Sequence, residues 1–213
     1  MGIVPQGIKL IIIGCAALIA GILLFFWTKW IGLPLIILSL IFTLFSLFFF
    51  RDPVRDKIFA PGEIGAPGDG KIISISKEDY YDIVVIRIFL SIFNVHLQRA
   101  PIDGEVTDVD FHEGKFEIAY KPEAKDNQRN KIRIEGENGR FAEVEQIAGA
   151  IARRIACYVN KGDRIKVGDK IGMIYFGSQV ALYLPADRVN ILVRKGEKVR
   201  AGETVIGLWK RKG

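Results

Sequence analysis

The sequence predicts a mostly β soluble domain of the sandwich type, with one or two short helices, attached to an N-terminal pair of membrane-spanning helices. Three observations predict this fold class. Charges are distributed unevenly along the 213 residues, short β-branched runs alternate with glycine and proline after residue 51, and one segment recurs 34 residues later in the chain.

The charge distribution divides the chain into two parts. No acidic residue precedes Asp52, and Lys9 and Lys29 are the only basic residues before Arg51, although the whole chain holds 30 Lys+Arg and 24 Asp+Glu. This asymmetry excludes a wholly soluble or disordered chain. We expect an apolar segment over 1–50 and one globular domain over 51–213, which is large enough to bury its own core.

Two uncharged stretches, at about 10–28 and 31–50, are each long enough to cross a bilayer as a helix. Because only two residues separate them, they should form a transmembrane hairpin, with Trp27, Lys29 and Trp30 at the interface. A buried hairpin of a soluble fold is the alternative. Basic residues cluster after the second stretch, which predicts a domain on the cytoplasmic face of the cell membrane.

The region after residue 51 shows strand signals bounded by turns. Residues 141–158 have apolar positions at helix-like spacing, but the pattern fits either a helix or two short strands. The predicted strands are 71–76, 83–89, 105–110, 131–135, 171–176, 180–184 and 189–193.

The internal repeat matches residues 159–171 with residues 193–205. Each copy has a strand, a glycine turn, two charged positions, a second glycine turn and a new strand, as two pseudo-symmetric halves of a β-sandwich would need. The pair resembles the hammerhead motif of biotinyl and lipoyl carrier domains. Those domains present a modified lysine at a hairpin tip, whereas the centre here is Phe176-Gly177-Ser178-Gln179. The missing lysine counts against a carrier.

Cysteine and histidine, two residue types that often act in catalysis and metal binding, are rare in this chain. The chain has only two cysteines, Cys15 and Cys157, and this number excludes a disulfide framework or a cysteine zinc site. No metal site is predicted. The two histidines are His96 and His112, and His112 lies in a turn-like stretch where we expect a surface position.

Ser178, His96 and Asp69 are each weak candidates alone. The Gly177-Ser178 pair is a common turn, His96 lies between apolar residues as core histidines do, and Asp69-Gly70 is an ordinary turn signal. Together they supply a nucleophile, a base and a carboxylate that could orient the base. Their spacing leaves open whether they meet.

Five segments occur in a single order: FRDP at 50–53, PGDG at 67–70, FNVHLQRAP at 93–101, QIAGAIARRI at 146–155 and FGS at 176–178. This series resembles the phosphatidylserine decarboxylase family in its short bacterial and archaeal form, over nearly all of residues 50–208.

The resemblance implies a precursor that cuts itself at the bond between Gly177 and Ser178, giving a β chain of 1–177 and an α chain of 178–213. Ser178 would be the nucleophile, His96 the base and Asp69 the group that orients the ring. Ser178 would become a pyruvoyl group, whose ketone binds the amine of a serine head group and accepts electrons as carbon dioxide leaves. His96 would then return a proton, and the lipid would carry ethanolamine.

The implied partners are a membrane lipid with a phosphoserine head group, ester- or ether-linked, the lipid bilayer and the two cleaved chains. Larger bacterial members have a second histidine at the position of Asn94, so the substrate-binding role of that histidine does not carry over to this chain. The candidate substrate-binding residues are Asn94, Gln98 and Arg99, of which Arg99 has a guanidinium that can bind phosphate or carboxylate through two hydrogen bonds. Apolar residues around 89–93 are compatible with a homodimer. No motif supports nucleic-acid binding.

A non-enzymatic membrane adaptor, resembling the fusion proteins of export pumps, is the alternative function. Such an adaptor would need a long coiled coil within the domain, and the sequence shows no heptad run. The charge bias also places the domain on the other side of the membrane.

Overall fold

The computed structural model describes residues 2–78, 82–114, 127–149, 154–175 and 178–210. The chain divides into two compact units, Met1–Val54 and Arg55–Gly213. The predicted helical segment and β domain thus have separate interiors.

The N-terminal unit contains helices α1 (Pro5–Trp27) and α2 (Lys29–Phe49), both long and apolar enough to cross a membrane. Helix α1 begins five residues before the predicted start, because Pro5 occupies its first turn, where a missing N–H costs nothing.

The buried residues of α1 are Gly7, Gly14 and Gly21, spaced seven residues apart. A Cβ at Gly14 would collide with Thr43 of α2, so this glycine lets the two helices approach closely. Strand β1 (Gly2–Ile3) pairs with β2 (Arg51–Asp52) and joins the two ends of the hairpin.

The C-terminal unit is built almost entirely of strands, which confirms the mostly β prediction. Its short helices are the 3-10 turns Glu137–Gly139 and Ala186–Arg188. The strands are β3 (Glu63–Gly65), β4 (Gly70–Glu78), β5 (Ile83–Leu90), β6 (Leu97–Arg99), β7 (Gly104–His112), β8 (Arg129–Glu135), β9 (Phe141–Ala148), β10 (Ile155–Cys157), β11 (Arg164–Ile165), β12 (Lys170–Ile174), β13 (Ser178–Pro185), β14 (Val189–Ile191), β15 (Lys198–Val199) and β16 (Val205–Trp209).

These strands form three sheets. The large sheet has the order β11-β7-β8-β9-β13-β5-β4-β15, and two three-stranded sheets have the orders β10-β12-β6 and β14-β16-β3. All the pairs are antiparallel. The segment 141–158, which the sequence left open, contains strands β9 and β10, with residues 150–153 outside the described part.

The sequence repeat appears as a structural repeat. In the first copy, β11 pairs with β7 and the Gly162 N–H donates to the Val106 carbonyl; in the second, β15 pairs with β4 and the Gly196 N–H donates to the Ile72 carbonyl. Both glycines have φ near +95°, a conformation that favours glycine. The two copies therefore make equivalent contacts at opposite edges of the large sheet.

Strand β13 lies at the centre of the large sheet, between β5 and β9. Its Val180, Leu182 and Leu184 belong to the main core, whereas Ala181 belongs to a smaller cluster with Val85 and Ile147. Since side chains alternate along a strand, Ser178 shares the face of Val180 and points toward the main core.

Candidate active site

Ser178 is the first residue of the central strand. It pairs with Leu90 of β5 on one side and with Ala148 of β9 on the other, and it is fully buried. Its hydroxyl has no hydrogen-bond partner among the residues that the structure describes. Such an unsatisfied buried hydroxyl is unusual in a core, which makes it a candidate nucleophile. Gly177 and Phe176 lie outside the described residues.

His96 is fully buried and immediately precedes β6. Its Nδ1 lies 3.0 Å from the carbonyl oxygen of Asn94. Because a carbonyl oxygen only accepts hydrogen bonds, Nδ1 carries the proton in the neutral ring and Nε2 keeps a lone pair. This tautomer is the one that a general base at Nε2 requires.

Asp69 lies in the turn before β4 and is largely buried. Arg55 donates to both carboxylate oxygens, at 3.1 and 2.9 Å, and the backbone N–H of Ala201 donates to Oδ1 at 2.8 Å. Burial raises the pKa of Asp69, while the Arg55 guanidinium and the Ala201 amide oppose that rise. The same guanidinium bonds Glu203 at 2.8 Å and lowers the pKa of Glu203.

All three predicted catalytic residues are buried in the β unit. The bond that fixes the His96 ring at Nδ1 goes to Asn94, and the Asp69 carboxylate bonds Arg55 and Ala201. A role for Asp69 in orienting the ring stays a prediction. Sequence reasoning missed Arg55 because it precedes Asp69 by fourteen positions and shares no motif with it.

The predicted substrate-binding residues make internal contacts. The Asn94 side-chain oxygen accepts from both the backbone N–H and the hydroxyl of Ser91, at 2.9 and 2.7 Å. Arg99 donates to the Gly168 carbonyl at 2.8 Å and lines a shallow pocket of about 480 Å³. Substrate binding by Asn94, Gln98 and Arg99 stays a prediction.

Three buried amide side chains, not predicted as a group, connect to His96. Gln98 donates to the His96 carbonyl, Gln146 donates to Gln98 and Asn130 donates to Gln146, each at 2.8 Å. We call Gln98, Gln146 and Asn130 the amide chain. The sequence did show amide residues within runs of apolar strand residues, and a polar side chain buried in a strand often indicates a hydrogen-bonding role.

No group of three His, Cys, Asp or Glu side chains that could hold a metal ion occurs in the described part of the chain. His112 ends β7, is half-exposed and lies 3.4 Å from an Asp110 carboxylate oxygen, so it has the expected surface position.

Comparison with known proteins identifies the class. The family model for phosphatidylserine decarboxylase matches residues 42–207. The "Phosphatidylserine decarboxylase proenzyme" of Syntrophus aciditrophicus is 38% identical over 214 residues, covering 97% of both chains. The protein of that name from Carboxydothermus hydrogenoformans is 44% identical, and the match covers 84% of both chains. The one from Prosthecochloris aestuarii is 40% identical, and the match covers 83% of this chain and 82% of the relative.

The β fold, its buried serine and these relatives define the protein as an enzyme of the carboxy-lyase class. The chain belongs to the phosphatidylserine decarboxylase family. The family resemblance carried by the five motifs is confirmed, and the non-enzymatic adaptor is set aside.

Proposed function

We propose that this chain is a self-processing, pyruvoyl-dependent decarboxylase that converts the serine head group of a membrane phospholipid to ethanolamine. The observation that carries the proposal is the Ser178 hydroxyl: fully buried, at the first position of the central strand, and without a hydrogen-bond partner among the described residues. The family and the names of its relatives support the same reaction.

The chain's own residues supply the cleavage chemistry. Ser178 Oγ, with its proton drawn off by His96 Nε2, attacks the carbonyl carbon of Gly177. The C–N bond breaks, an ester forms, and the released amine takes up the proton. Loss of the α-proton of residue 178 then expels the Gly177 carboxylate and leaves dehydroalanine. One water molecule then hydrolyses the dehydroalanine to a pyruvoyl group and ammonia.

The surroundings of Ser178 suit a neutral terminal group. Plain hydrolysis of the 177–178 bond would leave a charged α-ammonium at a fully buried position, and burying an unpaired charge is costly. A pyruvoyl group carries no charge, and its carbonyl oxygens accept hydrogen bonds. The burial of the first position of β13 therefore fits an uncharged pyruvoyl group better than a charged N-terminus.

The pyruvoyl group supplies an electron sink when carbon dioxide leaves the substrate. We assign the return of the proton to His96. Once its ring is protonated, the bond from Nδ1 to the Asn94 carbonyl keeps Nε2 as the nitrogen that donates. Burial excludes bulk water as a competing donor.

The apolar helices suit an enzyme with a lipid substrate. Transfer of a two-chain lipid to water costs about 0.8 kcal/mol per methylene, so the reaction belongs at the bilayer surface. The basic residues after α2 favour the cytoplasmic leaflet. We propose that the β unit lies on that face.

The test compares the unmodified chain with Ser178→Ala, using Ser74→Ala as a matched control in strand β4. The unmodified chain and the control should divide at 177–178, yield a ketone that reacts with a hydrazine, and release carbon dioxide from both diacyl and diether serine lipids or from one of them. Ser178→Ala should do none of these. An unmodified chain that stays whole, or that divides without forming a ketone, overturns the proposal.

A further inference from the structure

We propose that Gln98 and Gln146 are positioning residues, which hold the sheet that carries His96 in register with the sheet that carries Ser178. The inference rests on the proposed self-processing function. His96 adjoins β6, an edge strand of the sheet β10-β12-β6, whereas Ser178 begins β13 of the large sheet. The base and the nucleophile therefore depend on contacts between two sheets.

The amide chain makes such a contact. Gln98 belongs to β6, Gln146 to β9 and Asn130 to β8, so the hydrogen bond between the two glutamines passes from the small sheet to the large one. All three side chains are at most 1% exposed. Hydrogen bonds in such surroundings are strong, and leaving one partner unsatisfied is costly.

The direction of the hydrogen bonds is fixed by the first acceptor. The His96 carbonyl can only accept, so the NH₂ group of Gln98 must face it. The Gln98 carbonyl oxygen then faces the NH₂ group of Gln146, whose own oxygen accepts from Asn130. Each amide thus has one orientation, and the chain ends on the backbone of the catalytic histidine.

The middle residue of the amide chain, Gln146, lies on the strand beside Ser178. Gln146 pairs with Val180 across the β9–β13 ladder, and two residues further along β9 Ala148 pairs with Ser178 itself. A shift of Gln146 relative to Gln98 would therefore change the position of the serine relative to the histidine.

Gly172 of β12 leaves room for this crossing. A Cβ at that position would lie 2.5 Å from Gln146 Nε2 and 2.5 Å from the Ala156 carbonyl oxygen. Any larger residue at position 172 would displace the Gln146 amide from its hydrogen bond to Gln98.

Cleavage increases the importance of the amide chain. Before cleavage, residues 175–178 join the small sheet covalently to β13; after cleavage at 177–178 this link no longer exists. Contacts between the sheets, such as the hydrogen bond between Gln98 and Gln146, then contribute more to keeping Ser178 and His96 in place during decarboxylation.

The first test replaces each glutamine by methionine, which has nearly the same shape but no amide. We expect Gln98→Met and Gln146→Met to slow self-cleavage about 10- to 100-fold, as small misplacements of catalytic groups do. The rate would be measured by mass spectrometry of newly made chain in a cell-free system. The control is Tyr183→Phe, which removes a 2.6 Å bond to Glu145 on the same sheet and should leave the rate within about twofold of the unmodified chain.

A second variant separates positioning from general destabilisation. In Gln98→Glu, the protonated carboxyl can still donate to the His96 carbonyl and accept from Gln146, whereas the ionised form cannot donate. Since burial keeps a carboxyl protonated up to near neutral pH, the ratio of the cleavage rate of this variant to that of the unmodified chain should fall as the pH rises above neutral. Gln98→Met should be slow at every pH.

The outcomes are distinct. An unmodified chain that does not divide refutes the proposed function itself. If that chain divides but both methionine variants divide equally fast, Gln98 and Gln146 have no positioning role. Slow cleavage in Gln98→Glu with the pH profile of the unmodified chain would show only a structural role and would also overturn the inference.

Discussion

Replacement of Arg55 by methionine should destabilise the β unit in a pH-dependent way. The guanidinium bonds Asp69 and Glu203, and the side chains of Arg55 and Asp69 are only 7% and 10% exposed. Arg55→Met keeps much of the apolar part of the side chain but removes the guanidinium. Among the described residues, the Asp69 carboxylate then accepts a hydrogen bond only from the Ala201 N–H. Breaking a buried ion pair in this way costs about 3–5 kcal/mol.

The sign of the pH dependence follows from the two pKa shifts. The pKa of Asp69 is raised in the fold, so its contribution to stability is complete below the unfolded-state pKa and is lost as pH rises through the folded-state pKa. Without Arg55 the pKa of Asp69 rises further. The pKa of Glu203 is lowered mainly by Arg55, so its contribution is present at higher pH and is lost on acidification. Arg55→Met removes that contribution as well.

Both effects act in the same direction. The loss of unfolding free energy in Arg55→Met should be largest near neutral pH and should shrink toward pH 4, with a slope of at most about 1.4 kcal/mol per pH unit for one proton. The assay is urea unfolding of the detergent-solubilised Ser178→Ala precursor, followed by Trp209 fluorescence in a chain whose Trp27 and Trp30 are replaced by phenylalanine.

Two further variants test the reasoning. Arg55→Met combined with Asp69→Asn should recover more than half of the loss and remove the part of the slope that Asp69 causes, because the core then holds no unpaired carboxylate. Arg133→Met removes two exposed carboxylate bonds, at 2.8 Å to Glu135 and to Glu143, and should cost less than about 1 kcal/mol. A pH-independent loss in Arg55→Met, or no recovery in the double variant, would refute the assignment.

The remaining predictions concern the base, the core and the helices. His96→Ala should slow self-cleavage about 10²- to 10⁴-fold, measured by mass spectrometry, and processing at the normal rate would exclude His96 as the base. Leu182→Ala, at a fully buried position of β13, should lower the unfolding free energy by about 2–5 kcal/mol in urea titrations, and a loss below 1 kcal/mol would contradict its core position. Gly14→Leu should overpack the α1–α2 contact at Thr43 by about 1–3 kcal/mol and lower the helix melting temperature by circular dichroism, whereas Gly14→Ala should do so less.

Local patterns predicted half of the strands described in the β unit, mainly the longer ones. The strand predicted at 83–89 is Ile83–Leu90, and the one predicted at 180–184 is Ser178–Pro185. Their pairing was beyond reach, because nothing in either segment specifies that β13 lies between β5 and β9. The ambiguity at 141–158 had a physical origin: apolar residues on both faces of a buried strand also satisfy helical spacing.

The candidate site was predictable only where short motifs carry it. Ser178, His96 and Asp69 lie in recognisable segments, whereas the contacts that set their properties join distant positions. Asp69 meets the backbone of Ala201, 132 residues later, and Gln98 meets Gln146 across 48 residues. Such contacts depend on how the sheets pack, and no local pattern encodes that.

Ser178 begins strand β13, which pairs along its whole length with β5 and over Ser178–Tyr183 with β9. This central position affects whether the protein can refold after cleavage. In the uncleaved precursor, β13 is covalently connected to β12 and can insert between β5 and β9 as the chain folds. If the chain is cleaved at 177–178 as proposed, residues 178–213 are held in the fold only by noncovalent contacts. Heating should then inactivate the cleaved protein permanently under conditions from which the Ser178→Ala precursor refolds.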